Sequence, residues 1–319
     1  MEHIDFNNIV GSSQQSEQVL GKFLYFSLSS ILVDKEAMAE LCQTIDIAYA
    51  GGSRESVSDA FRSATGELKE RIVTAGQVYQ VYCRDNKRTT DAFSRELVKE
   101  AVGVKTNSYS KLANLYFDKT GNQFGYDNLV YDEAVDAGAL CAKAAARFEL
   151  HLHSANRKQL ETICQSFIRS VEAIKMSGNG YLYFVPRQFM HKVDAFETFI
   201  EAVSEAGQCG TPLSVNSFYI VNDDKQRNKM TQEFYSAVKK EIAEYQERAA
   251  YFIDTDSRSP IVLERWALRI VALEEKKRHY EDILRRELTD LDDEFSSLRI
   301  LGKNSPYEQE AYDFDRWRD

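Results

Sequence analysis

Proline, cysteine and net positive charge are all scarce in this chain, and each shortage excludes something. Only 4 prolines occur in 319 residues, so few helices need be interrupted. The 5 cysteines (Cys42, Cys83, Cys141, Cys164 and Cys209) are odd in number, widely scattered and never spaced C-x-x-C. That pattern argues for reduced thiols and against a disulfide framework or a zinc ribbon. No apolar run approaches the ~18 residues that would cross a bilayer. The opening Met1-Glu2-His3-Ile4-Asp5 lacks the basic region and apolar stretch of a secretory signal. The expectation is a cytoplasmic protein without a membrane partner. With 50 acidic against 40 basic residues the formal charge is −10. Such a balance argues against general coating of nucleic acid but leaves room for a local basic face. Internal repeats, low-complexity segments and a catalytic signature are missing too. The reading leans away from an enzyme, and no cofactor is implied.

What is present is enough apolar material, 43% hydrophobic and 12% aromatic, to bury a sizeable core. Residues 1–15 are polar and read as a flexible N-terminus. Residues 16–129 read as a mainly antiparallel β domain. Leu20 to Val33 supplies one or two strands, and Asp34 is placed to cap a helix from Lys35 to about Thr44. Ser56 with Asp59 resembles a capping box opening a short helix through Phe61 and Ala64. Val73 to Cys83 reads as a strand, as does Phe93 to Val102, although its Glu96–Val102 part also fits a helix. Lys119-Thr120-Gly121-Asn122 between two aromatic arms predicts a hairpin over Leu112 to Leu129.

Residues 130–223 change pattern and read as an α+β module with a β-hairpin. Helices are expected from Tyr131 to about Leu152 and from about Asn156 to Ser170. Asn179-Gly180 between apolar runs is a hairpin cue, because both residues accept positive φ. Pro186 should end the second strand. A helix over about Gln188 to Ala206 and a strand over Ser214 to Val221 follow. Residues 224–301 read as a long antiparallel helical hairpin, and 302–319 as an acidic tail. The first rod, about 225–253, sets Met230, Phe234, Val238, Ile242 and Tyr245 on one face. The second starts near Pro260 with the stripe Trp266, Ile270, Leu273, Tyr280, Leu284, Leu288, Leu291, Phe295 and Leu298. Its steps of three and four, broken only by Lys277, predict one helix roughly 55 Å long at about 1.5 Å per residue. The fold class is therefore α+β: β-rich N-terminal domain, helix–hairpin–helix middle and C-terminal helical hairpin. A stripe of that length needs a covering surface, so Trp266, Ile270, Leu273, Tyr280, Leu284 and Leu291 are the candidate partner-binding residues. The cover is either the other rod or a second molecule, including self-association.

Several groups have a chemical reading. Arg157, Lys158, Arg169, Lys175, Arg187 and Lys192 face only Glu161 and Glu172 over 155–192, a local excess of positive charge. A helix followed by a hairpin also ends a winged-helix unit, so these six are the candidate nucleic-acid contacts. The simpler and preferred reading makes them solvated outward positions. His151 and His153 with Cys141 and Cys164 lack metal-ligand spacing. Gly51-Gly52-Ser53-Arg54 lacks a Walker lysine and reads as a turn. The acidic groups at Asp223-Asp224, Asp254 with Asp256, and Asp290 to Glu294 would have to converge to hold catalytic metals. Asp223 or Asp224 is more simply a helix cap. The strand Tyr181 to Val185 is apolar on both sides, which favours core over a base-stacking platform.

Gly180-Tyr181-Leu182-Tyr183-Phe184-Val185-Pro186 resembles the Gly-Gly-x-Tyr-Phe-Val-Pro strand of an uncharacterised family from prokaryotes and their phages or plasmids. Tyr181 stands where that family has its second glycine. The resemblance extends in element order from about Asn156 to the terminal helices. It implies a mobile-element setting and supplies no catalytic residue. The expected function is a non-enzymatic interaction or assembly protein, encoded by or acting on a mobile element. The alternatives are a nucleic-acid-binding accessory factor and, last, a metal-dependent nuclease.

Overall fold

The structure, a computed structural model, describes residues 18–49, 57–86, 92–103, 109–176, 181–254 and 260–303, with the side chains of 249–250, 252–254, 260–267 and 299–303 left out. The expectations for residues 1–15, the Gly51 turn, Ser56, the Asn179-Gly180 turn, the 255–259 turn, the Trp266 side chain and the tail beyond 303 lie outside these.

Along the chain, β1 (Val19–Ser27) and β2 (Ile31–Asp34) lead into α1 (Lys35–Gln43). Asp34 caps α1, its carboxylate accepting from the Glu36 and Ala37 amides at 2.9 and 3.1 Å. Helix α2 (Val57–Gly66) precedes β3 (Lys69–Thr74), β4 (Gln77–Asp85), β5 (Ala92–Ala101), β6 (Tyr109–Asp118) and β7 (Gln123–Asp127). Then come α3 (Ala137–His153), β8 (Ser154–Asn156), α4 (Arg157–Ser170), β9 (Ile174–Lys175) and β10 (Leu182–Pro186). Asn156 and Gln159 form a reciprocal box at the start of α4: Oδ1 of Asn156 accepts from the Lys158 and Gln159 amides, and Oε1 of Gln159 accepts from the Asn156 amide. A 3-10 turn at Arg187–Phe189 starts α5 (Met190–Ala206), followed by β11 (Gln208–Cys209) and β12 (Ser214–Val221). The chain ends in α6 (Asp224–Asp254), α7 (Pro260–Leu284) and α8 (Asp292–Lys303). The fold is α+β with a β-rich N-terminal region.

Two compact units emerge, and neither is continuous in sequence: 1–27 with 164–200 and 214–319, and 28–163 with 201–213. The segmental division at 129 and 223 expected from composition differs from this grouping. Its physical reason is β1, which leaves the N-terminal strands to pair with β10 and β12.

In the first unit the antiparallel sheet runs β12-β1-β10-β9. Gly21 lies opposite Pro186, and a Cβ there would sit 2.1 Å from the Val185 carbonyl oxygen, so β1 and β10 approach closely only over a glycine. Leu20, Phe184 and Ile220 join α6, α7 and α8 in one core. Phe26 stacks on Tyr181 and Tyr183 and meets Phe196 of α5 edge-on, while Phe196 stacks on Phe167 of α4 at 4.3 Å. Tyr183, Phe184 and Val185 are thus buried on both faces of the sheet.

In the second unit β3-β4-β5-β6-β7 form an antiparallel meander, and β11-β2-β8 a small separate sheet. The meander's core joins Val81, Leu97, Leu115 and Phe117 to Phe61 of α2 and Phe148 of α3. The single strand expected over Val73–Cys83 is instead a hairpin, because Ala75 and Gly76 take positive φ (50° and 79°) and turn the chain between Thr74 and Gln77. Alanine is a poor cue for such a turn, which is why the residues do not announce it. Residues 96–102, open to a helical reading, lie in β5 except for Val102.

The second terminal rod also differs from expectation. It breaks after Leu284, where Arg285 has φ 50°, and resumes at Asp292 after a 3-10 turn at Thr289–Leu291. The single helix expected through Leu298 is therefore two. Arg286 donates to Asn228 at 3.2 Å, which sets the end of α7 beside the start of α6 in an antiparallel hairpin.

Candidate interaction surface

The predicted partner stripe is consumed within the chain. Ile270, Leu273, Tyr280, Leu284 and Leu291 are all buried in the core that also holds Met230, Phe234 and Val238 of α6. Tyr280 stacks on Phe234 at 4.3 Å and meets Phe184 of β10 edge-on at 6.1 Å. Its hydroxyl donates to the Glu172 carbonyl at 3.0 Å, and burial pushes the phenol far above its ordinary pKa. Lys276 donates to the Ala173 carbonyl at 2.9 Å, and His279 Nδ1 lies 2.8 Å from the Glu172 carboxylate. Burial lowers the Lys276 pKa, with Glu241 and Glu172 opposing the shift. Lys276, His279 and Tyr280 are thus committed to the turn after α4, and Ile270, Leu273, Tyr280, Leu284 and Leu291 are covered by the chain's own α6 and sheet instead of a partner.

The six basic candidates are distributed over both units. Arg157 and Lys158 belong to the second unit and Arg169, Lys175, Arg187 and Lys192 to the first. Arg157, Lys158, Arg169 and Lys175 are exposed, whereas Arg187 and Lys192 are half-buried. A wing projects freely, whereas β10 is an inner strand between β1 and β9, unlike the hairpin of a winged helix.

Asp223, Asp224, Asp292 and Glu294 are engaged by local structure, while the Asp254 side chain and Asp256 lie outside the described residues. Asp223 caps α6, accepting from the Gln226 amide at 2.7 Å, and Asp224 pairs with Arg227. Asp292 pairs with Lys277 and Glu294 with Lys239. His151 Nε2 lies 2.7 Å from Glu67, which also accepts from Arg147. Glu67 is held below the usual carboxylate value: burial opposes this, but the Arg147 and His151 contacts outweigh it. Burial raises the Cys42 and Cys141 thiols to about 11 and Cys83 to about 12, the opposite of an activated nucleophile. No group of three or more His, Cys, Asp or Glu able to hold a metal occurs among the described residues.

Among the described residues, the longer of the two edge strands of the first unit's sheet, β12, is left open. Among the described residues β12 pairs only with β1, with Phe218 opposite Phe23 and Asn216 opposite Tyr25. Its eight residues, Ser-Val-Asn-Ser-Phe-Tyr-Ile-Val, carry neither charge nor proline. Phe218 is 61% exposed, Val221 49% and Tyr25 of the neighbouring strand 40%. Sheet edges normally carry lysine, proline or a bulge that blunts further pairing. The meander shows that protection, with Lys69, Glu70 and Arg71 on β3 and Asp127 ending β7. A second exposed apolar run, Leu129-Val130-Tyr131, lies in the other unit. Sequence periodicity finds the β12 strand but not its edge position, since strand order depends on distant partners.

No described helix is long and apolar enough to cross a membrane. Comparison with curated proteins and with solved structures finds no match. The profile of a family of unknown function (DUF6744) matches residues 19–304. That span runs from the first residue of β1 to just past α8, and the chain belongs to this family.

Proposed function

We propose that this is a non-enzymatic interaction or assembly protein whose contact surface is the β12 edge with the neighbouring Tyr25, in place of the terminal helical seam. One observation carries the reading: an eight-residue edge strand without charge or proline that leaves Phe218 largely in solvent. Main-chain amides and carbonyls along such an edge supply affinity, and alternate side chains supply selectivity. The capped or ion-paired state of Asp223, Asp224, Asp292 and Glu294 supports this reading over a nuclease. The mobile-element setting rests on the resemblance of Gly180–Pro186 and of the element order from about Asn156 to the terminal helices.

A photo-crosslinking residue placed at 218 in the full chain, in its native cells, tests the proposal. A discrete adduct at 218, absent with the same residue at the exposed position 158, is the expected result. Equal, diffuse labelling at both positions would overturn it.

A further inference from the structure

We infer that the occupant of the β12 edge is β12 of a second copy, paired antiparallel about a two-fold axis at Phe218. The inference rests on the interaction reading above and specifies its partner. The strand is self-complementary in this register. Phe218 would face its own copy, Val221 would face Val215, Ile220 would face Asn216, and Tyr219 would face Ser217. The most exposed apolar side chains of the strand, Phe218 and Val221, thereby both gain apolar neighbours across the junction. A two-fold perpendicular to the sheet keeps each face continuous, so the four strands β12-β1-β10-β9 extend into eight.

Charge favours this partner over another strand of the same chain. Uncharged β12 sets no like charges opposite each other, and Asp223 falls beyond Ser214, the first residue of the copy's strand. Edge strands β3 and β7 both carry charged residues, and β9 offers only two residues. The formal charge of −10 on each full chain repels at longer range. Salt screens that term, so association should strengthen with ionic strength.

Sedimentation velocity of the purified full chain over a concentration series tests the inference. A dimer is expected whose fraction rises with salt, with Phe218→Asp moving its midpoint upward by about tenfold or more. Because Phe218 is exposed in the single chain, that variant should keep its circular dichroism and, at concentrations where both proteins are monomeric, its melting temperature. Register is read separately by oxidation of variants carrying one added cysteine, beside the unmodified chain with its 5 native cysteines. Phe218→Cys should give a covalent dimer, since residue 218 meets itself. Val221→Cys should not, because it lies six residues from its own copy, about 20 Å along the strand. A chain that stays monomeric while the 218 crosslink captures a foreign protein would sink the self-pairing and leave the interaction reading intact. A dimer indifferent to Phe218→Asp, without the 218 disulfide, would also sink it. Absence of both self-association and any 218 adduct would remove the two together.

Discussion

Lys277 of α7 reaches across the break in the second terminal rod to Asp292, the first residue of α8, at 2.9 Å. The same ammonium lies 3.0 Å from Glu281, whose carboxylate also accepts the Leu288 amide at 2.8 Å. The one charged residue in an otherwise apolar seam therefore ties the two helices together where the chain turns. Asp292 also suits the positive end of the α8 dipole. Burial works against the Lys277 charge, but Asp292 and Glu281 outweigh it and raise its pKa.

A double-mutant cycle on Lys277→Ala and Asp292→Ala should give a coupling energy of about 0.5–1 kcal/mol in urea melts. The value is modest because Asp292 is 59% exposed, although Lys277 is only 13% exposed. Strict additivity of the two substitutions would refute the link.

Gly21→Ala should destabilise the first unit by about 2–3 kcal/mol despite adding a single methyl group. The new Cβ would lie 2.1 Å from the Val185 carbonyl oxygen, and backbone in an inner strand yields little. An unchanged urea midpoint would show that β1 and β10 can separate at no cost.

Acid should weaken the second unit through Asp132. Its carboxylate accepts from Lys99 at 2.7 and 2.9 Å and from the Ala134 amide at 2.9 Å. The Lys99 hydrogen bond lowers its pKa, with burial opposing. A depressed folded-state pKa means stability that is present above the unfolded value of about 3.9 and lost as pH falls through the folded value. Asp132→Asn should therefore cost about 1–2 kcal/mol at neutral pH and progressively less in acid. A penalty independent of pH would show that the contact does not act through the charge.

The residues themselves determined the capped starts of α1, α4 and α6, since Asp34, Asn156 and Asp223 act on amides two or three residues away. They also determined which faces of α6 and α7 are apolar, because helical periodicity is local. They did not fix what covers those faces. The α7 seam meets α6 and the sheet, and β1 finds β10 and β12 more than 150 residues away, through contacts no local pattern encodes. Edge or centre is likewise a property of strand order, and the break at Arg285 falls among Leu284, Leu288 and Leu291, which are all buried in one core. Local hydrogen bonding wrote the elements. Long-range burial of apolar surface decided which were spent on the core and which were left at the edge.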